Sequence, residues 1–379
     1  MHYTLHMTSR CNLRCDYCYV AHDSTEDMTP ETARLAVDLA GQSAKQTGQN
    51  ARQSGLIFFG GEPLLKRDLI YETVAYARSR EKESGCKFFF KITTNGLLLD
   101  DGFLDFACRE NMFVALSVDG NRTAHDAHRK DAAGTGSYDA AVDAAKRLLP
   151  LKPYSPAMMT IRPDTLPYYA AGVENLFRLG FQYVICSIDY SADWHDSDLP
   201  ELTRQYEALA ELYYAKTVRE EKFYFSPFEV KISSHINNRT YCRERCELGL
   251  RQLSVGPDGT IYPCVQFVGD SRYALGDVRA GVDENMRRAL YEHNEAEKPG
   301  CDRCAIRARC NHYCACLNKQ ATGSIDKVSP MLCAHERIVL PIADCLAAKL
   351  FQERNALFIQ KQYNEFYPLV SLAEDKIRP

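Results

Sequence analysis

Short apolar runs recur along the first half of the chain, at residues 2–7, 56–59, 87–93, 113–118, 157–161 and 183–188. Each is too short for a buried helix and gives way to a polar loop, so each predicts a strand. Helical stretches lie between them, at residues 30–44, 68–84, 102–110, 138–149 and 166–179. The first opens on Thr29, a good N-cap, with Pro30 at the first helical position and Glu31 behind it. Six strands, each followed by a helix or a long crossover, predict a parallel sheet with helices outside. Six units fall short of the eight of a closed barrel. An open, partial barrel and a doubly wound sheet both fit the pattern. From about residue 338 helical periodicity returns, as a packing helix that ends in a polar tail.

The working loops of a parallel α/β sheet lie at the C-terminal ends of its strands. After the first strand comes Cys11-Asn12-Leu13-Arg14-Cys15-Asp16-Tyr17-Cys18, a C-x3-C-x2-C run. Gly60-Gly61-Glu62-Pro63 follows the second strand, Thr93-Thr94-Asn95-Gly96 the third and Ser117-Val118-Asp119-Gly120 the fourth. Such residues are ordinary turn chemistry taken singly. Sharing a rim with a cysteine loop, they form a candidate ligand cradle, in which Glu62 suits a cationic ammonium. Three thiolates can hold three corners of a four-iron cube and leave the fourth iron open to a ligand. A zinc knuckle is the alternative use of the same thiols. Asp189, after the sixth strand, is a candidate acid beside a structural role, and Trp194 reads as a loop tip.

Composition narrows the class. The chain has 379 residues, 45% hydrophobic and 25% charged, with a net charge of −4. That charge leaves no electrostatic footprint for nucleic acid or an anionic membrane. No N-terminal apolar segment reads as a secretion signal and no apolar run is long enough to span a bilayer, so a cytoplasmic location is expected. There the sixteen cysteines would stay reduced, and they call for an explanation other than disulfides. Most lie in two clusters, separated by a cysteine-poor body. The second begins with Cys242-x3-Cys246 and continues through a strand, a Pro257-Asp258-Gly259 turn and a strand ending at Cys264. This predicts a β-hairpin. Cys301-x2-Cys304-x5-Cys310-x3-Cys314 and Cys333 complete the series, which a pair of structural zinc sites could also explain. Cys86, Cys108, Cys186, Cys316 and Cys345 are left over, with packing as the default role. Cys316, two residues from Cys314, is a candidate alternative ligand.

The cysteine loop, with an aromatic residue before its last cysteine and Gly-Gly-Glu-Pro beyond, resembles the radical S-adenosylmethionine (radical SAM) superfamily. The resemblance implies a partial (β/α)6 barrel with a [4Fe–4S] cluster on Cys11, Cys15 and Cys18, whose open iron binds S-adenosylmethionine. Gly60, Gly61 and Glu62 would meet the cofactor's ammonium, Tyr17 would lie near its adenine, and Asn95 and Ser117 would add polar contacts. Residues 125–131 resemble a stretch of sulfatase-maturating enzymes in which an arginine reaches the cofactor carboxylate, which implicates Arg129. The second cysteine series is similar to the SPASM domain. That similarity implies two further [4Fe–4S] clusters, one on Cys242, Cys246, Cys264 and Cys314, the other on Cys301, Cys304, Cys310 and Cys333, making three in all. The expected division is a barrel over residues 1–232, a SPASM domain over 233–337, and a C-terminal helix and tail over 338–379.

In this family a reduced cluster cleaves S-adenosylmethionine to a 5′-deoxyadenosyl radical, which takes a hydrogen atom from the substrate. An electron donor such as flavodoxin or ferredoxin is implied. SPASM enzymes mostly modify ribosomally made peptides and proteins, so the implied partner is a precursor peptide or protein. Many such maturases begin with a leader-binding domain. Here the cysteine loop starts at residue 11, so the expectation is a precursor held by the barrel and SPASM surface or by a separate leader-binding protein. Sulfatase maturases carry an aspartate after the cysteine of a Tyr-Pro-Cys segment, and Val265 stands there in this chain. The first expectation is therefore a peptide cross-link, a cysteine-derived thioether or a carbon–carbon cyclophane. Oxidation of Cys or Ser to formylglycine is the alternative, and a non-catalytic metal-binding scaffold is the third. No residue is marked as general acid or base.

Overall fold

The computed structural model describes residues 1–20, 25–46, 53–237 and 247–377. Cys242 and Cys246 lie outside the described residues. Strands β1 (His2–Thr8), β2 (Gln53–Gly60), β3 (Lys87–Thr94), β4 (Phe113–Ser117), β5 (Pro156–Ile161), β6 (Tyr183–Ile188) and β7 (Tyr224–Phe225) are all parallel, each hydrogen-bonded to the next. A doubly wound sheet would reverse its strand order partway. This sheet adds strands in one direction and does not close, so it is an open, partial barrel. The helices outside it are α1 (Pro30–Gln46), α2 (Arg67–Ser84), α3 (Asp101–Arg109), α4 (Arg122–His128), α5 (Tyr138–Leu151), α6 (Tyr169–Arg178) and α7 (Leu199–Val218).

The expected strands and helices occur close to their expected limits, for local reasons. Thr29 Oγ1 accepts the Thr32 amide at 3.1 Å and caps α1. In β1 every residue after His2 is buried, because helices cover one face and the barrel interior the other. Several features differ from expectation, beginning with the two-residue β7, a seventh parallel strand beyond the six expected. Residues 122–128, for which no helix was expected, form the short helix α4, capped by Asn121 and ending at Arg129. The last packing helix begins at Pro330, capped by Ser329. After it, α12 (Ala356–Tyr363) and α13 (Tyr367–Ile377) replace the expected polar tail. Trp194 is no loop tip: it packs against the core, and its indole N–H donates to the Asp189 carbonyl at 2.7 Å.

The hairpin forms as expected, with β8 (Gln252–Val255) antiparallel to β9 (Ile261–Tyr262). Gly259 turns it at φ +95°, a conformation that favours glycine. The hairpin also extends the barrel sheet, since β8 pairs in parallel with β1, His2 opposite Gln252 and Leu5 opposite Val255. Cys264, just beyond β9, is thereby tied to the strand that leads into the N-terminal cysteine loop. Beyond the hairpin come a small ribbon of β10 (Gly276–Asp277) and β11 (Gly281–Val282), then α9 (Glu284–Glu295), α10 (Ala315–Thr322) and α11 (Pro330–Gln352). Helix α11 packs on α7 and on α8 (Ser226–Asn237). No helix among the described residues is long and apolar enough to cross a membrane.

Candidate functional site

The N-terminal cysteine loop leaves β1 at the strand-end rim. Cys11, Cys15 and Cys18 are free, half-buried thiols within electrostatic reach of one another. Backbone amides already point at two of them: Leu13 N–H donates to Cys11 Sγ at 3.4 Å, and Val20 to Cys18. Burial pushes the Cys11 thiol up to about 11 and Cys15 up to about 12, so ionised thiolates require a cation to hold them there. Soft sulfur donors with N–H support suit an iron–sulfur cluster. Among the described residues no three His, Cys, Asp or Glu side chains converge as ligands of a single metal ion.

The loops after β2 and β3 close on this loop from the side. Gly61 N–H donates to Thr8 O at 2.8 Å and Glu62 N–H to Arg10 O at 2.9 Å. A Cβ on Gly61 would stand 2.1 Å from Arg10 O, and one on Gly60 2.3 Å from Thr8 O. The glycines are thus required by the approach of the cysteine loop's own backbone, a reason the sequence pattern did not disclose. Glu62 is buried and accepts three hydrogen bonds, from Leu64 N at 3.1 Å, Thr94 Oγ1 at 2.7 Å and Asn95 N at 2.8 Å. Burial outweighs those donors and pushes its carboxyl up to about 7. Asn95 Nδ2 donates to Asn12 Oδ1 at 2.7 Å and lies 3.8 Å from Cys11 Sγ. It therefore braces the cysteine loop from β3.

Asp119, after β4, organises the third side. Its carboxylate binds Arg129 Nε at 2.7 Å and Nη2 at 3.2 Å, accepts Thr160 N at 2.9 Å, and accepts the Tyr17 hydroxyl. The Arg129 guanidinium lies over the Tyr17 ring, 5.3 Å from its centre. The resemblance implied that Tyr17 and Arg129 meet different parts of the cofactor; in the structure both bind Asp119. Ser117 is half-buried at the end of β4. Of an outer ring only Asp189 was singled out in the sequence; Asp16, His128 and Arg162 were not. Asp16 meets His128 Nδ1 at 2.9 Å and Arg162 Nη1 at 3.3 Å, and Arg162 also faces the buried Asp189 at 3.8 Å. The one available signal was that Arg162 directly follows a strand.

Among the described residues, the later ligand candidates fall into two groups. Cys333 lies within electrostatic reach of Cys304, and Cys301 and Cys310 within reach of Cys333. Cys264, buried after β9, meets Cys316, whose sulfur is 3.3 Å from Cys314 Sγ. Among the leftover cysteines, Cys86 is buried as expected of a packing residue and Cys186 is half-buried, but Cys108 and Cys345 are exposed.

Residues 5–165 match a family described as the radical SAM superfamily. A serine-type anaerobic sulfatase-maturating enzyme of Klebsiella aerogenes is 23% identical over 321 residues, 80% of this chain and 76% of the relative. The structure of native anSMEcpe with bound AdoMet is similar in fold, with a TM-score of 0.79 and 17% identity, over 93% of this chain and 99% of that one. Streptococcus suis SuiB bound to its precursor peptide SuiA shares the fold more loosely, with a TM-score of 0.59 and 14% identity, over 88% of this chain and 75% of that one.

Proposed function

We propose that this chain, a radical SAM enzyme by the domain at residues 5–165, installs a cross-link in a ribosomally made peptide, first among the options a thioether from a cysteine sulfur. The observation that carries the radical reading is the meeting of three half-buried thiols with the buried Glu62 at the strand ends. Cys11, Cys15 and Cys18 would hold the cluster, and Glu62 the ammonium of S-adenosylmethionine. Cys301, Cys304, Cys310 and Cys333 would hold a second cluster, and Cys264 and Cys314, with Cys242 and Cys246, a third. Bound there, the N-terminal cluster and S-adenosylmethionine supply hydrogen-atom abstraction, and the other clusters an electron acceptor.

The chain's own residues position and shield that chemistry. Asn95 and Asp119 brace the cysteine loop from two sides, Asp119 through Tyr17. Glu62, removed from water and fixed by three donors, would set the cofactor's orientation. The ring of Asp16, His128, Arg162 and Asp189 gives the mouth mixed charge, suited to an extended peptide.

Val265 favours cross-linking, since the half-buried position after Cys264 offers no carboxylate to take a proton. Formylglycine formation is the second reading, favoured by the sulfatase-maturating relative. The test is anaerobic reaction with the peptide encoded by the neighbouring small open reading frame, followed by intact mass and hydrazide labelling. A cross-link removes two hydrogens and leaves a product inert to hydrazide. A hydrazide adduct would transfer the assignment to formylglycine.

A further inference from the structure

Cys316 stands outside the eight-cysteine ligand set and was only an alternative ligand from its spacing, yet its sulfur sits among thiols of that set. It occupies the first turn of α10, two residues after Cys314. Its Sγ lies 3.3 Å from Cys314 Sγ and hydrogen-bonds Cys264 as well. Tyr19, the residue after Cys18, is within electrostatic reach of both Cys264 and Cys316. This thiol group therefore adjoins the N-terminal cysteine loop. A cysteine that only packs turns its sulfur toward carbon, whereas this one turns toward two sulfurs.

We propose that Cys316 and Cys314 address the same iron corner of the cluster that Cys264 serves, so that either thiolate can complete it. The proposal rests on the reading of this region as cluster-binding. Two sulfurs this close compete for one corner; they do not occupy two. An exchange would break the iron–sulfur bond to Cys314 and form one to Cys316. The proton leaving Cys316 would pass to Cys314 along their hydrogen bond, with no change in electron count. The pair would then keep the cluster in place when one thiol is oxidised or alkylated.

The test uses the full chain, reconstituted anaerobically, as Cys314→Ala, Cys316→Ala and the double variant, with the exposed Cys108→Ala as control. Iron and sulfide per chain are counted, and the dithionite-reduced protein is examined by electron paramagnetic resonance. Cys314→Ala should keep the wild-type iron count and shift one auxiliary signal, while the double variant loses about four irons. Cys316→Ala should likewise keep its iron, and loss confined to Cys316→Ala among the single variants would overturn the proposal, because Cys314 would then be unable to complete the corner. A Cys314→Ala protein as depleted as the double variant overturns it. The paired Cys314→Ser and Cys316→Ser substitutions, which preserve side-chain size, separate ligand loss from misfolding. A wild-type protein holding only about four irons would remove the auxiliary-cluster reading itself, and the proposal with it.

Discussion

Glu62 brings a carboxylate to a place from which water is excluded. Its three hydrogen bonds favour the charged form, burial opposes it more strongly, and the balance leaves the group near 7. An arriving ammonium would draw the proton off. The affinity for S-adenosylmethionine should therefore fall as pH drops below about 7, by up to tenfold per unit. Glu62→Gln should bind more weakly and lose that slope. Calorimetric titration at pH 6, 7 and 8 reads both, and a wild-type affinity flat across that range would separate Glu62 from the ammonium. Asp119 and Arg129 make a second residue-scale case. Asp119→Asn leaves a buried guanidinium without its counter-charge, which costs about 3–5 kcal/mol. Urea unfolding should show that loss, and a change below about 1 kcal/mol would mean that the pair is solvated. Asp119 and Arg129 were each singled out in the sequence, but their pairing was not, because no local periodicity links the two positions.

At the scale of elements, six of the seven parallel strands were legible because each is a short apolar run bounded by turn residues, whereas the two-residue β7 is too short to leave a pattern. Helices α1 and α3 also carried side-chain caps, Thr29 and Asp100. The pairing of β8 with β1 was not legible, since about 250 residues separate the partners and no local signal spans that gap. Helix α4 was hidden by its length, only seven residues with a charged surface. The glycines after β2 were recognised as functional positions, but their steric reason appears only when the cysteine loop lies against them. Gly61→Ala should push Arg10 aside and loosen the N-terminal cluster loop, lowering iron by up to about four per chain and leaving the C-terminal thiol sites loaded. Iron analysis after anaerobic reconstitution checks this. Full loading would show that the loop gives way without cost.

At the scale of the molecule, α11 joins the barrel helices to the thiol-rich region. It carries Cys333, and Glu336 on the same helix is buried against Lys231 of α8 at 2.7 Å. Lys231→Met alone should cost about 3–5 kcal/mol, while Lys231→Met with Glu336→Leu should regain most of it. Urea midpoints for the single and double variants test that coupling. The pattern of thiols was readable because ligand spacing is local, whereas their three-dimensional grouping depends on β8 and α11 docking on the barrel. The claim on which the whole account turns is that the N-terminal thiols leave one iron open to S-adenosylmethionine. Its most direct measurement is the anaerobic yield of 5′-deoxyadenosine from reconstituted protein given dithionite and S-adenosylmethionine. The account predicts steady formation in the wild type and none in Cys15→Ala. A wild type that forms none, or a Cys15→Ala protein that forms as much, would contradict it.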